Sequence, residues 1–192
     1  GTAGPGANQL NGPTGVYVDA LSNYYIADQN NHRLQKWAFG ATSATTVAGT
    51  GTSGSGANQL NNPSGVYVDA GGNIYVSDKN NHRIMKWAPG ATTGIRVAGT
   101  GTSGSGANQL FAPFGVCGDA VGNIYVTDQI NYRIQKFAAS IVNTYTAATA
   151  GSYAALVTTQ VGAVTTNTVT VNSSGNIGVG GNTIIYAGSS TS

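Results

Sequence analysis

Apolar and polar positions alternate in short bursts along the chain, and the bursts recur every 50 residues through residue 138. The second copy shows the grammar. Gly65-Val66-Tyr67-Val68-Asp69 is a β-rich run behind Pro63, and Gly71-Gly72 makes a turn. Asn73 to Asp78 predicts a second strand, with Ile74 and Val76 on one face and Tyr75 on the other. Lys79-Asn80-Asn81-His82 has turn chemistry, because Asn tolerates left-handed backbone. Arg83 to Trp87 predicts a third strand that Pro89-Gly90 ends, and Thr93 to Ala98 supplies a fourth. Apolar side chains fall on both faces of these strands, as expected when each sheet packs between two others.

A unit of this length repeated in step means one supersecondary block stacked several times. GTAGPGANQL opens the chain, and GTSGSGANQL begins again at Gly51 and Gly101. Four short antiparallel strands per unit predict an all-β fold of β-propeller blades. The predicted organisation is three repeats, 1–50, 51–100 and 101–138, followed by a β-rich segment at 139–192. Three blades are too few for a ring, so the ring is partial or completed by another chain.

Composition sharpens this picture. Charged residues make up 7% of the 192 residues, against about 25% in ordinary soluble domains. Glu is absent, and Gly, Thr, Ser, Asn and Ala take the space. Every charged residue lies between Asp19 and Lys136, which places the organisational boundary near Ala138 to Ser140. A net charge of +2 is too small to argue for a polyanion partner. The lone Cys117 excludes an internal disulfide framework and stands where the sister copies have Tyr17 and Tyr67, as a small hydrophobe. No apolar run is long enough to span a membrane. The start at Gly1 reads as a processed product or excised fragment, and the palette suits an exported or cell-surface bacterial protein.

The repeat text Pro-x-Gly-Val-x-Val-Asp-x-x-Gly-Asn-Ile-Tyr-Val-x-Asp-x-x-Asn-His-Arg-Ile resembles the NHL repeat, named for an Asn-His-Leu triplet. The triplet reads Asn31-His32-Arg33-Leu34 and Asn81-His82-Arg83-Ile84, and drifts to Asn131-Tyr132-Arg133-Ile134. The resemblance covers residues 1 to 138 and implies a propeller that usually closes with about six blades. It implies a ligand-contacting face formed by the turn between the second and third strands and the loop entering the first. It also implies two further functional classes: metal-dependent lyases or hydrolases, and RNA-binding domains. Missing Glu and two histidines count against the first. A balance of eight basic to six acidic residues counts against the second.

The repeated residues have scaffold readings. Asp28, Asp78 and Asp128 stand five residues before Arg33, Arg83 and Arg133 across the predicted hairpin, which predicts a structural clamp; a ring of anion-binding arginines is the functional alternative. Asp19, Asp69 and Asp119 end the first strand and suit turn N–H bonds, without the spacing of a calcium loop. His32 and His82 read as exposed turn residues. Trp37, Trp87 and Phe137 read as packing between blades, and the Gly-rich loops as connectors. No catalytic, cofactor or metal residue is assigned. Variation between copies escapes the scaffold argument. Phe111, Phe114, Ile130 and Tyr132 make the third copy more apolar on the loop face, and with Lys79, His82 and His32 they form the candidate contact set.

The uncharged segment has two readings. Val169 to Val179 aligns without gaps to Val66 to Val76, as a worn fourth repeat whose third strand would be Asn182 to Tyr186. Alternatively, Thr144 to Val171 resembles the back half of an Ig-like module of secreted bacterial proteins, whose open edge could take a strand from another chain. The expected function is a non-enzymatic binding or assembly module, a structural repeat protein that engages a protein, a glycan or another copy of itself.

Overall fold

The computed structural model describes residues 1–139 and the strand backbones at 151–158, 164–171 and 177–179. Each repeat folds as the alternation dictates. Repeat one forms a sheet of β1 (Pro13–Val18), β2 (Tyr24–Asp28), β3 (Arg33–Trp37) and β4 (Thr45–Ala48) in sequential antiparallel order. Repeat two gives the same sheet from β5 (Pro63–Val68), β6 (Ile74–Asp78), β7 (Arg83–Trp87) and β8 (Ile95–Ala98). Repeat three contributes β9 (Pro113–Gly118), β10 (Ile124–Asp128) and β11 (Arg133–Phe137) among the described residues. The all-β expectation, with four-strand antiparallel blades, is borne out.

Register follows the sequence period. Tyr67 pairs with Tyr75 and Tyr75 with Lys86, and the pairs Tyr17–Tyr25 and Tyr25–Lys36 repeat it in the first sheet. The hairpins between second and third strands close through single 3-10 turns, Gln29–Asn31, Lys79–Asn81 and Gln129–Asn131. Each turn ends on a left-handed residue: His32 (φ 49°), His82 (φ 51°) and Tyr132 (φ 52°).

Because side chains alternate, each blade has two faces. The front face of repeat two carries Val66, Val68, Ile74, Val76, Met85 and Trp87, and it packs against Tyr25, Ala27, Leu34 and Ala48 on the rear of repeat one. The next interface repeats this, with Tyr75, Ile84 and Ala98 against Leu110, Ile124 and Val126. Leu60 and Leu110, at the end of each Gly-rich loop, are fully buried in these two cores. Trp87 thus packs between blades, as its series suggested, and the core consists of two interblade layers.

The Cα backbone divides into two compact units, Gly1–Ala139 and Ser140–Ser192. In the second, β12 (Gly151–Thr158), β13 (Val164–Val171) and β14 (Ile177–Val179) form an antiparallel meander. The pairing of Val169 with Val179 and Val171 with Ile177 copies that of Val66 with Val76 and Val68 with Ile74. The β12–β13 ladder, from Gly151–Val171 to Thr158–Val164, adds a strand where a blade's first strand has none. The strand expected at Asn182 to Tyr186 lies outside the described residues.

Candidate functional site

The most heavily bonded groups in each blade surround the hairpin acid. Arg33 Nε donates to Asp28 Oδ2 at 2.7 Å, and Arg83–Asp78 and Arg133–Asp128 have the same distance. The other guanidinium nitrogens turn to the entering loop: Arg33 Nη1 donates to Pro5 O at 2.6 Å, and Nη2 donates to Gly6 O at 2.9 Å and Gln9 O at 3.1 Å. The second carboxylate oxygen accepts the Asn11 amide at 2.7 Å, while Asn31 Nδ2 bridges Asp28 Oδ2 and Gly4 O. The pattern recurs in repeats two and three. The guanidinium donors are therefore directed into the blade's own loop. The Gly-rich segments, expected as connectors, are pinned to the hairpin of their own repeat. Asn31, Asn81 and Asn131 were missed as partners. Their fixed place three residues after the acid was the available signal.

Asp19 closes the turn between first and second strands. Its Oδ1 accepts the Leu21 and Asn23 amides at 2.9 Å, and Oδ2 accepts Asn23 Nδ2 at 2.8 Å and the Tyr25 hydroxyl at 3.2 Å. The Asn23 side-chain donor, with these other bonds, holds the Asp19 carboxyl below its ordinary value. The equivalent Asn123 donor and its companions bring Asp119 down to about 2. Burial, followed by the charge of Asp69 beside it, pushes the Tyr75 phenol up to about 12. Lys36, Lys86 and Lys136 lie over the rings of Tyr25, Tyr75 and Tyr125, at 5.1, 5.4 and 5.7 Å from the centroids. A cleft of about 640 Å³ between repeats one and two is lined by Tyr25, Lys36, Ile74 and Trp87. Among the described residues, no three of His, Cys, Asp and Glu converge as a metal site would require.

The histidines depart from the sequence expectation. His32 and His82 are not merely exposed turn residues. Each is half-buried, and its Nδ1 accepts a backbone amide of the following repeat, Asn62 N at 3.1 Å and Ala112 N at 3.2 Å. The left-handed turn aims the ring across the blade boundary, so sequence distance hid the contact.

The loop face gathers most of the candidate contact set at the junction of repeats two and three. The Ile130 amide donates to Phe111 O at 3.2 Å, as Asn30 does to Asn11 and Asn80 to Asn61. His82 meets Phe111 edge-on at 5.4 Å, and Lys79 Nζ lies 5.6 Å from the Phe114 ring centroid. Phe111 and Phe114 are each 38% exposed and Ile130 is 45% exposed. Tyr132 is 94% exposed, at the position from which His82 reaches the next repeat. His32 sits apart, at the junction of repeats one and two.

The profile of the NHL repeat matches residues 10–37 and 60–87, within the first two copies. These two segments carry the NHL-repeat pattern, and their antiparallel sheets fold as β-propeller blades. A Bacteroides thetaiotaomicron protein of unknown function superimposes with a TM-score of 0.52 at 22% identity, over 61% of this chain and 32% of that one. An auxiliary nutrient binding protein from the same organism gives 0.50 at 21%, over 63% of this chain and 36% of that one. The chain thus spans about a third of the length of these structures. Virginiamycin B lyase from Staphylococcus aureus is more distant, with a TM-score of 0.43 at 14% identity over 91% and 57% of the two chains. No curated protein matches the sequence.

Proposed function

We infer that this chain is a non-enzymatic binding module of an exported or cell-surface protein, and that it engages a protein partner through the loop face where repeats two and three meet. One observation carries the reading. Phe111, Phe114 and Ile130 are exposed together where the sister copies have Asn11, Thr14 and Asn30, or Asn61, Ser64 and Asn80. An apolar cluster that replaces polar residues on an otherwise repeated surface favours a protein contact over a solvated loop. Lys79 and His82 at its margin suit a partner with an acidic rim.

The RNA reading loses ground on the same geometry. Arg33, Arg83 and Arg133 point into their own blades, and Arg96 donates to Thr100 O. Lys36, Lys86, Lys136 and Lys79 rest over aromatic rings. Most basic side chains are therefore engaged within the fold, and the exposed Arg96 and Lys136 do not make a phosphate-facing stripe.

The test is affinity capture from the surface fraction of the source cells, using the wild-type chain and a Phe111→Ala/Ile130→Ala/Tyr132→Ala variant. Loss of one defined protein from the variant, with folding intact by circular dichroism, supports the reading. Identical captured proteins on both would sink it.

A further inference from the structure

The cleft between repeats one and two lies at the end of the blades away from the hairpins that carry the loop patch. Its volume of about 640 Å³ falls within the roughly 300–1,000 Å³ of ordinary small-molecule sites. One wall is the front of repeat two, with Ile74, Trp87 and Pro89. The other is the rear of repeat one, with Leu21, Lys36 and Thr45.

Charge is unevenly satisfied around this cleft. The chain has six acids in all. Asp28, Asp78 and Asp128 pair with the clamp arginines. Asp19 borders the cleft, but its oxygens already accept four donors: the Leu21 and Asn23 amides, Asn23 Nδ2 and the Tyr25 hydroxyl. Its lone pairs are therefore turned into its own blade. Asp69 and Asp119 are closed in the same way by their own turns. Lys36 is thus left without an ion pair among the described residues, and no acid lies beyond residue 139 to supply one. Its half-buried ammonium rests over the Tyr25 ring, on the wall that faces Ile74 and Trp87. A cation held beside apolar walls without a counter-ion favours an incoming anion.

The lysine-over-tyrosine contact does not by itself mark the place, because repeats two and three also have it. The surrounding wall does. At the junction of repeats two and three, Gly71 stands for Leu21, Ile95 for Thr45, Arg96 for Thr46 and Ala139 for Pro89. Leu21 is 77% exposed and forms an apolar lip that becomes buried only when something apolar enters the cleft. Thr45 is exposed on the same wall and adds a hydroxyl that repeat two lacks.

We propose that the cleft between repeats one and two binds a small amphipathic carboxylate, with its apolar body against Leu21, Ile74 and Pro89 above the Trp87 indole, and its carboxylate on the Lys36 ammonium and the Thr45 hydroxyl. The site stands apart from the loop patch and does not rest on any partner bound there.

The probe is 4-phenylbutyrate, with 4-phenylbutanamide as its uncharged twin, titrated into the full chain and followed by NMR. The Trp87 indole N–H and the Leu21 methyl signals should shift, and the acid should bind at least about tenfold more tightly than the amide. Lys36→Met keeps an unbranched stem over Tyr25 and removes the charge. It should bring the acid down to the affinity of the amide and leave the amide unchanged. Leu21→Gly, which writes in the repeat-two residue, should weaken both, while Lys86→Met should weaken neither. If Lys36→Met does not fold, the ratio of acid to amide in wild type and the loss in Leu21→Gly carry the test. The proposal fails if acid and amide bind wild type alike, if the acid keeps its advantage in Lys36→Met, if neither probe binds at millimolar concentration, or if the shifts fall at Phe111 and Ile130 instead.

Discussion

Repeats two and three share most of their text but live in different surroundings. Repeat two is covered on both faces, while among the described residues no further blade lies behind repeat three. Ile84 is fully buried, and Ile134 at the same position is 64% exposed. The Asp78 and Asp128 carboxylates are both fully buried, but the Arg83 side chain is 10% exposed and that of Arg133 31%. Burial pushes the Asp78 carboxyl up despite its donors from Asn81, Asn61 and Arg83. At Asp128 burial acts in the same direction, but donors from Phe111, Asn131, Arg133 and Gln135 outweigh it and the carboxyl ends below its ordinary value. One motif therefore has two energetic settings, decided by whether another blade lies behind it.

The clamp should divide the two repeats most sharply. Asp78→Ala leaves a nearly buried guanidinium without its carboxylate, and should cost about 3–5 kcal/mol in urea unfolding. Asp128→Ala leaves Arg133 within reach of water and should cost about 1–2 kcal/mol. Equal losses would mean that the rear of repeat three is covered in solution. The aliphatic pair gives the next contrast. Ile84→Ala should cost about 2–4 kcal/mol through lost burial and a cavity, and Ile134→Ala should stay within about 0.5 kcal/mol.

A third substitution runs in the opposite direction. Ser77 is fully buried, and its hydroxyl lacks a hydrogen-bond partner among the described residues. Repeat one places Ala27 there, also fully buried. In repeat three, Thr127 Oγ1 accepts the Gly115 amide at 2.5 Å on an exposed strand face. Ser77→Ala removes a stranded hydroxyl and should raise stability by about 1 kcal/mol, read as a higher urea midpoint with unchanged slope. A loss of stability would mean that the hydroxyl has a partner, such as a buried water.

How much was legible in the sequence follows from where each partner lies. The strands, the hairpin turns and the Asp28–Arg33 spacing are local, so alternation and a five-residue interval exposed them. The capture of the Gly-rich loop by Arg33 joins residues 24 to 28 apart, and no pattern in the loop announces it. The His32–Asn62 contact spans 30 residues and crosses a blade boundary. Stacking alone brings those atoms together, so the histidine looked like a solvated turn residue. The candidate patch was found from differences between copies, because Asn11 to Phe111 and Asn30 to Ile130 break a pattern the other repeats keep. Exposure of Val16 and Val18 was illegible for the opposite reason: their text matches copies that are buried.

The smallest contrast is between the histidine of repeat two and the tyrosine of repeat three, and it is open to pH. Burial holds the His82 imidazole below its ordinary 6.5, while nearby Asp78 pulls the other way. The Phe111 ring is its apolar neighbour across the boundary. Only the neutral ring can accept the Ala112 amide at Nδ1, so the folded state favours the deprotonated form. A pKa lower in the folded chain than in the unfolded one means that the unfolded state binds the proton first on acidification. The contribution is therefore complete above 6.5 and lost as pH falls through that value toward the folded one. Between about pH 7.5 and about pH 5.5, the wild type should lose up to about 1 kcal/mol that a His82→Tyr variant does not lose. His82→Tyr, which writes the repeat-three residue into repeat two, should also speed exchange at the Ala112 amide at neutral pH. An equal pH dependence in both proteins, with the Ala112 amide still protected, would show that the imidazole does not link the blades.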